Sequence, residues 1–341
     1  MKIKVVLIIA AIVLMMVNTP LSGKKVAVLE EVSRPDMMAM GDGRLYIQER
    51  ANIYVFDLKD YKLITRFGKE GEGPKEFKIP TMGAPLLIFP LNGKLYISSH
   101  AKVSVFDKSG KYITESRVPP FQVYRPYGDG YVYTGTVTDE KKINYLAVNL
   151  CDGKFNKTKE LYVSDMQVGM NFKWTFPFNT FTFDPYKEKL YLVAGKEGFV
   201  INVYDKKGTL LKKIKKEYEK LKVPEQYKKN TLNWFKTSPK TKNFWNFFKD
   251  RIAFRDQFPE IQASVVESDL IYVITHNRKG DDVECIVLDL EGNEKKRLFL
   301  TIPETYGNDF AARYTFYNKV FYRLVENEDE ENWELHSTPI F

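Results

Sequence analysis

The chain has 341 residues, 44% hydrophobic and 28% charged, with 52 lysines and arginines against 44 aspartates and glutamates, a formal net charge of +8. That length fills two average domains, or one β-architecture with a large core, so length alone leaves the domain count open. The charge excess is mild for such a chain, and with only two cysteines the fold cannot rest on a disulfide framework.

Residues 1 to 23 read as a signal peptide: Lys2 and Lys4, an unbroken apolar run from Val5 to Val17, then Asn18-Thr19-Pro20 and the small residues Ser22 and Gly23. The apolar run falls short of the roughly 18 to 20 residues a membrane-spanning helix needs. Leu21-Ser22-Gly23 resembles the approach to a bacterial lipoprotein cleavage site. Lys24 stands where the lipid-accepting cysteine would be, so the expectation is a soluble, exported protein, periplasmic or extracellular, with no stable membrane anchor after cleavage. Nucleic acid is then not an expected partner.

The mature chain, 24 to 341, is expected to be a single domain of repeats. Gly43 to Pro80 reads as three strands and a glycine loop, and its start returns as Gly93 to Ile113, with Leu-Tyr-Ile and Val-Phe-Asp in the same relative places. Following the tyrosine gives six anchors: Tyr46, Tyr96, Tyr133, Tyr191, Tyr272 and Tyr322. A second signature follows at Val55-Phe56-Asp57, Val105-Phe106-Asp107, Ala147-Val148-Asn149, Val203-Tyr204-Asp205 and Val287-Leu288-Asp289, usually opening a turn that ends in glycine. Each copy is a four-stranded antiparallel meander, and six copies close an all-β ring, a six-bladed β-propeller. Such a ring is expected to be a monomer. Cys151 and Cys285 fall near the third strands of copies two repeats apart, which predicts free thiols.

The sixth copy ends at Phe341 one strand short, and the strand-like segment Lys25 to Val32 is left over before the first copy. Pairing the two closes the ring and removes an open sheet edge. Between copies four and five the anchor spacing stretches, and residues 217 to 258 form an insertion of helical composition bounded by Pro224 and Pro239. It is crowded with aromatics, among them Trp234, Phe235, Trp245 and Phe248. A shorter extension, Met166 to Phe178, precedes the fourth copy. The lysines of 206 to 229 read as a solvated face.

Residues 68 to 80, GKEGEGPKEFKIP, resemble the loops that join blades in NHL-type six-bladed propellers, Gly-x-Gly-x-x-x-Phe-x-x-Pro. Weaker echoes are Phe258-Pro259, Ile302-Pro303 and Pro119-Pro120-Phe121. Here Gly71 and Gly73 allow a tight return, Phe77 can wedge between two blades and Pro80 fixes the approach to the next inner strand. No Gly-Lys-Ser/Thr follows, so the loop is not a phosphate cradle. The whole mature chain is similar in blade pattern to exported bacterial six-bladed propellers. That resemblance implies a binding or scaffolding role for a protein, glycan or small ligand, with metal-assisted lyases and hydrolases that hold zinc or calcium at the channel mouth as the alternative.

Four residues past each anchor lie Arg50, His100, Val137, Gly195, His276 and Glu326, expected in the loops between second and third strands. His100 and His276 belong to opposite blades. A shared zinc would need three or four ligands, and His336 lies in the last strand, so no metal or other cofactor is expected. Arg34, Asp36, Tyr124, Arg125, Asp309 and Arg313 start inner strands and line the channel. No catalytic elbow or zincin motif occurs. Arg50, His100, Arg125, His276 and Arg313, with Trp234 and Trp245 of the insertion, are therefore the candidate ligand-binding residues.

Overall fold

The computed structural model describes residues 23–79, 86–169, 172–179, 181–307 and 312–341. The signal-peptide reading of 1 to 23, Pro80 and Asp309 lie outside the described residues, Gly23 excepted.

In chain order, β1 (Lys24–Leu29) precedes blade 1, formed by β2 (Met37–Gly41), β3 (Arg44–Glu49), β4 (Asn52–Asp57) and β5 (Leu63–Phe67). Blade 2 is β6 (Leu87–Leu91), β7 (Lys94–Ser99), β8 (Lys102–Asp107) and β9 (Tyr112–Arg117). Blade 3 is β10 (Tyr124–Tyr127), β11 (Gly130–Thr138), β12 (Asn144–Cys151) and β13 (Lys157–Val168). After β14 (Trp174–Phe176), blade 4 is β15 (Phe183–Tyr186), β16 (Lys189–Val193), β17 (Val200–Tyr204) and β18 (Leu210–Lys215). The insertion carries the helix α1 (Glu225–Thr237) and β19 (Ile252–Phe254). Blade 5 is β20 (Ala263–Glu267), β21 (Leu270–Lys279), β22 (Asp282–Asp289) and β23 (Glu294–Thr301); blade 6 is β24 (Tyr314–Tyr317), β25 (Val320–Asn327) and β26 (Asn332–Pro339).

Six four-stranded antiparallel sheets result, and the sixth is completed by β1, which pairs antiparallel with β26 from Lys24 opposite Ser337 to Leu29 opposite Trp333. The N-terminal strand therefore closes the ring. Its closure is reinforced by side chains: Lys25 and Asn327 donate to Glu334, His336 Nε2 lies 2.7 Å from the same carboxylate, and the Trp333 indole donates to Ser33 O. At the axis, Met38 N donates to Ala312 O and joins blade 6 to blade 1.

The strands are apolar on both faces because every blade is covered by two neighbours, so the core divides into one cluster per blade boundary. Blades 1 and 2 enclose Tyr46, Ile53, Phe77, Ile88 and Phe106; blades 4 and 5 enclose Tyr191, Ile201, Ile271 and Ile286. Phe77 is fully buried in the first of these. Its loop is held from below by the Lys102 ammonium, which donates to Gly73 O at 3.0 Å and Glu76 O at 2.7 Å and pairs with Glu115. A Cβ on Gly71 would strike the Glu76 carboxylate, which caps Gly73 N. The junction reading therefore holds at Phe77. At the next boundary it does not: Phe121 is 73% exposed, and Val118 fills the interblade position instead.

Aspartates open the outer turns as expected. Asp107, Asp152, Asp205 and Asp289 each accept two backbone N–H groups. Two side-chain donors, from Lys295 and Asn293, hold the Asp289 carboxyl well below the usual range. Cys151 and Cys285 are buried and unpaired.

Two register expectations are corrected. In blades 1, 2, 4, 5 and 6 the anchor tyrosine lies two residues into the second strand, whereas in blade 3 that strand begins at Gly130, which places Val132, not Tyr133, at the equivalent position. A one-residue slip turns the side chain to the other face. Tyr133 accordingly stacks on its strand neighbour Tyr124 at 4.9 Å, on the face of blade 3 that packs against blade 2. The rim positions also differ in kind. Arg50 and His100 sit in tight turns, but Val137, His276 and Glu326 lie inside β11, β21 and β25, because those hairpins run on beyond the blade edge.

Candidate functional site: a capped rim

The turns after each second strand and the connections from each outer strand to the next inner strand share one rim of the ring. Arg50 occupies its turn with φ 52°, its N–H donating to Asp36 Oδ2 and its guanidinium pairing with Glu70 at 3.0 Å in open solvent. His100 packs edge-on against Phe121, ring centroids 4.6 Å apart. Phe121 itself holds φ 60°, a region costly for a bulky side chain, while standing out of the rim. His276 is stacked under Phe258 at 4.3 Å, and burial, with the Arg278 charge adding to it, pushes its imidazole pKa down to about 3. Each histidine has its own aromatic partner. Among the described residues no group of three His, Cys, Asp or Glu side chains is placed to hold a metal ion.

The inner-strand arginines are tied down. Arg125 donates to Phe183 O and to Asp184 Oδ1 at 2.5 Å, with Phe89 of blade 2 beneath its guanidinium. Burial pushes the Asp184 carboxyl upward against the pull of Arg125. Arg313 donates to Pro35 O and lies over the Trp333 ring, 5.1 Å from its centroid, linking blade 6 to the lead into blade 1. Both arginines therefore join neighbouring blades. Asp184 was legible only as a carboxylate in the otherwise apolar inner strand Phe183-Asp184-Pro185.

The insertion is a small domain-like cap. Its two ends meet where Lys222 bridges Gln257 and Phe258 N donates to Leu221 O. Below them Tyr218 donates to the buried Glu284 carboxylate, which Arg297 and Thr275 also hold. α1 starts directly after Pro224 and ends before Pro239, where proline can no longer continue it. The extension joins the cap: β14 pairs parallel with β19, and Phe172, Phe176, Phe235 and Phe248 form a core of their own. Trp234 and Trp245 are half-buried around this core. Trp234 also packs so closely on Gly307 that no Cβ would fit there. Of the expected contact aromatics, Phe235 and Phe248 thus serve packing; Phe244, elsewhere in the insertion, is 41% exposed.

At the foot of the cap lies a groove of about 360 Å³, floored by Val137, Tyr145 and Val163 and edged by Asp139, Asp165 and Lys196. Asp165 is held by Asn179 and by Arg255, which also donates to Pro177 O. The cap and the groove share that ion pair. The groove exists because the β11–β12 hairpin and β13 run past the blade edge, an overhang that strand composition alone does not reveal.

Among curated proteins none matches the chain. Of solved structures, a candidate exported protein from Bacteroides fragilis NCTC 9343 is similar over 93% of each chain at 11% identity, TM-score 0.51. A DUF4221 family member from Bacteroides vulgatus ATCC 8482 is similar over 95% of this chain and 96% of its own, at 12% identity and TM-score 0.46. The Pan2 WD40 domain of Neurospora crassa follows at 11% identity, covering 95% and 97%, TM-score 0.45. The DUF5128 family model, described as 6-bladed beta-propeller, matches residues 29–233. With the six blades in hand, the chain belongs to the DUF5128 family of six-bladed β-propellers.

Proposed function

We propose that the protein is an exported binding or scaffolding propeller whose recognition face is the cap and the groove at its foot. The observation that carries this reading is the separate aromatic core of the cap. A segment with its own core, clasped ends and a buried stem is a preformed platform, and preformed platforms lose little entropy on binding. The groove beside it is open and edged by the polar groups of Asp139, Asp165 and Lys196. Export is supported by the signal-like pattern of 1 to 23 and by the name of the Bacteroides fragilis relative. The blade junction ending in the buried Phe77 supports an NHL-like manner of joining blades. Among the described residues no helix is long and apolar enough to cross a membrane.

Native mass spectrometry with metal analysis of the purified protein tests this. A copurified protein, glycan or small molecule lost on mutating the cap supports it. Stoichiometric zinc or calcium together with turnover of a lyase or hydrolase substrate overturns it.

A further inference from the structure

We infer that the cap docks on an anionic lipid surface; this rests on the reading of the cap as the recognition face. Charge carries the argument. Between residues 225 and 251 there are seven basic side chains against two acidic ones, a local +5 within a chain of net +8. On the outer strand of blade 4 and its turn, Lys206, Lys212 and Lys213 each pair with a glutamate of a neighbouring turn or strand. In the cap, Lys228 pairs with Glu225 and Arg251 lies over Phe247 at 4.2 Å, but Lys229, Lys236, Lys240, Lys242 and Lys249 are exposed and form no ion pair among the described residues. Five of the seven basic groups of the cap are thus left for an outside partner.

Lys236, Lys240, Lys242 and Lys249 all lie within eight residues of Phe244 in sequence, and α1 contacts the turns at 242–244 and 245–248 that follow it. The chemistry there suits headgroup phosphates. Lysine ammoniums act as point charges that need no bidentate alignment, so flexible lysines match a laterally mobile array of phosphates better than a ligand of fixed shape. Phe244 is apolar and has no hydrogen-bonding handle, so its exposed ring can sit at the acyl boundary but cannot read hydroxyl groups. A basic face bordering an exposed aromatic is the pattern of interfacial attachment.

Co-sedimentation of the full protein with phosphatidylcholine vesicles, with and without phosphatidylglycerol, tests the inference. Binding should require phosphatidylglycerol and fade as salt shortens the screening length. Each lysine near such a surface contributes about fivefold, so changing Lys236, Lys240, Lys242 and Lys249 together to Gln should lower partitioning by roughly 100-fold or more with melting unchanged. Phe244→Ser should lower it several-fold. Binding that does not need phosphatidylglycerol, or that survives the four lysine substitutions, overturns the inference. Binding to heparin through the same lysines, with none to vesicles, overturns the lipid assignment but leaves the cap as recognition face. No effect of the cap substitutions on vesicle, heparin or copurified partner overturns both.

Discussion

Arg125 and Asp184 meet at 2.5 Å across the boundary between the inner strands of blades 3 and 4, and the carboxylate is buried there. A charge so placed depends on its one cation. Arg125→Ala should therefore lower stability by about 3 kcal/mol, because it strands a buried carboxylate, whereas the double change Arg125→Ala with Asp184→Ala should recover part of the loss. Urea denaturation of the three variants measures this. Additive losses would show that the pair is not coupled.

Phe77→Ala should cost about 3 to 5 kcal/mol, since a fully buried ring at a blade boundary leaves a cavity that two rigid sheets cannot collapse around. Phe121→Ala, at the position that looked equivalent in sequence, should change stability by less than about 0.5 kcal/mol. Thermal melts of the two variants separate wedge from knob.

Ring closure should show in acid. The donors from His336 and Lys25 hold the Glu334 carboxyl at about 2, below its ordinary 4.5. A depressed carboxyl stabilises the fold fully above the unfolded value and loses that contribution as pH falls from 4.5 toward 2. The stability gap between wild type and Glu334→Gln should be largest above pH 4.5 and close below it. A gap independent of pH would remove Glu334 from the closure. A chain lacking residues 24–32 should fail to fold normally, because blade 6 would keep an open edge.

His276 should remain neutral far below its ordinary range. Its pKa is about 3 where a free imidazole has 6.5, so its contribution to stability is present above 6.5 and is lost as pH falls through that window. NMR titration should find the His276 ring unprotonated at pH 5. A midpoint near 6.5 would mean that Phe258 does not enclose it.

The blade count, the closing strand and the position of the cap were legible because they rest on period, turn chemistry and an anomalous spacing, all of which are local in sequence. Tyr133 was misplaced because blade 3 has a tyrosine on both sides of the equivalent Val132, and only pairing fixes which face each takes. His276 was expected in a loop because hairpin length is set by tertiary overhang, not by the strand signature. The partners that matter at the rim, Phe121 for His100, Phe258 for His276 and Asp184 for Arg125, come from other blades or connections, and no single copy of the repeat contains both members.

Site-specific photocrosslinking in cells tests the recognition face most directly, with the probe placed either at Phe244 on the cap or at Ile113 on the exposed outer strand of blade 2. The cap position should yield a discrete adduct, to lipid or to another cellular component, that the outer-strand position does not. Equal labelling from both positions, or adducts from Ile113 alone, would contradict the cap as the surface through which this propeller works.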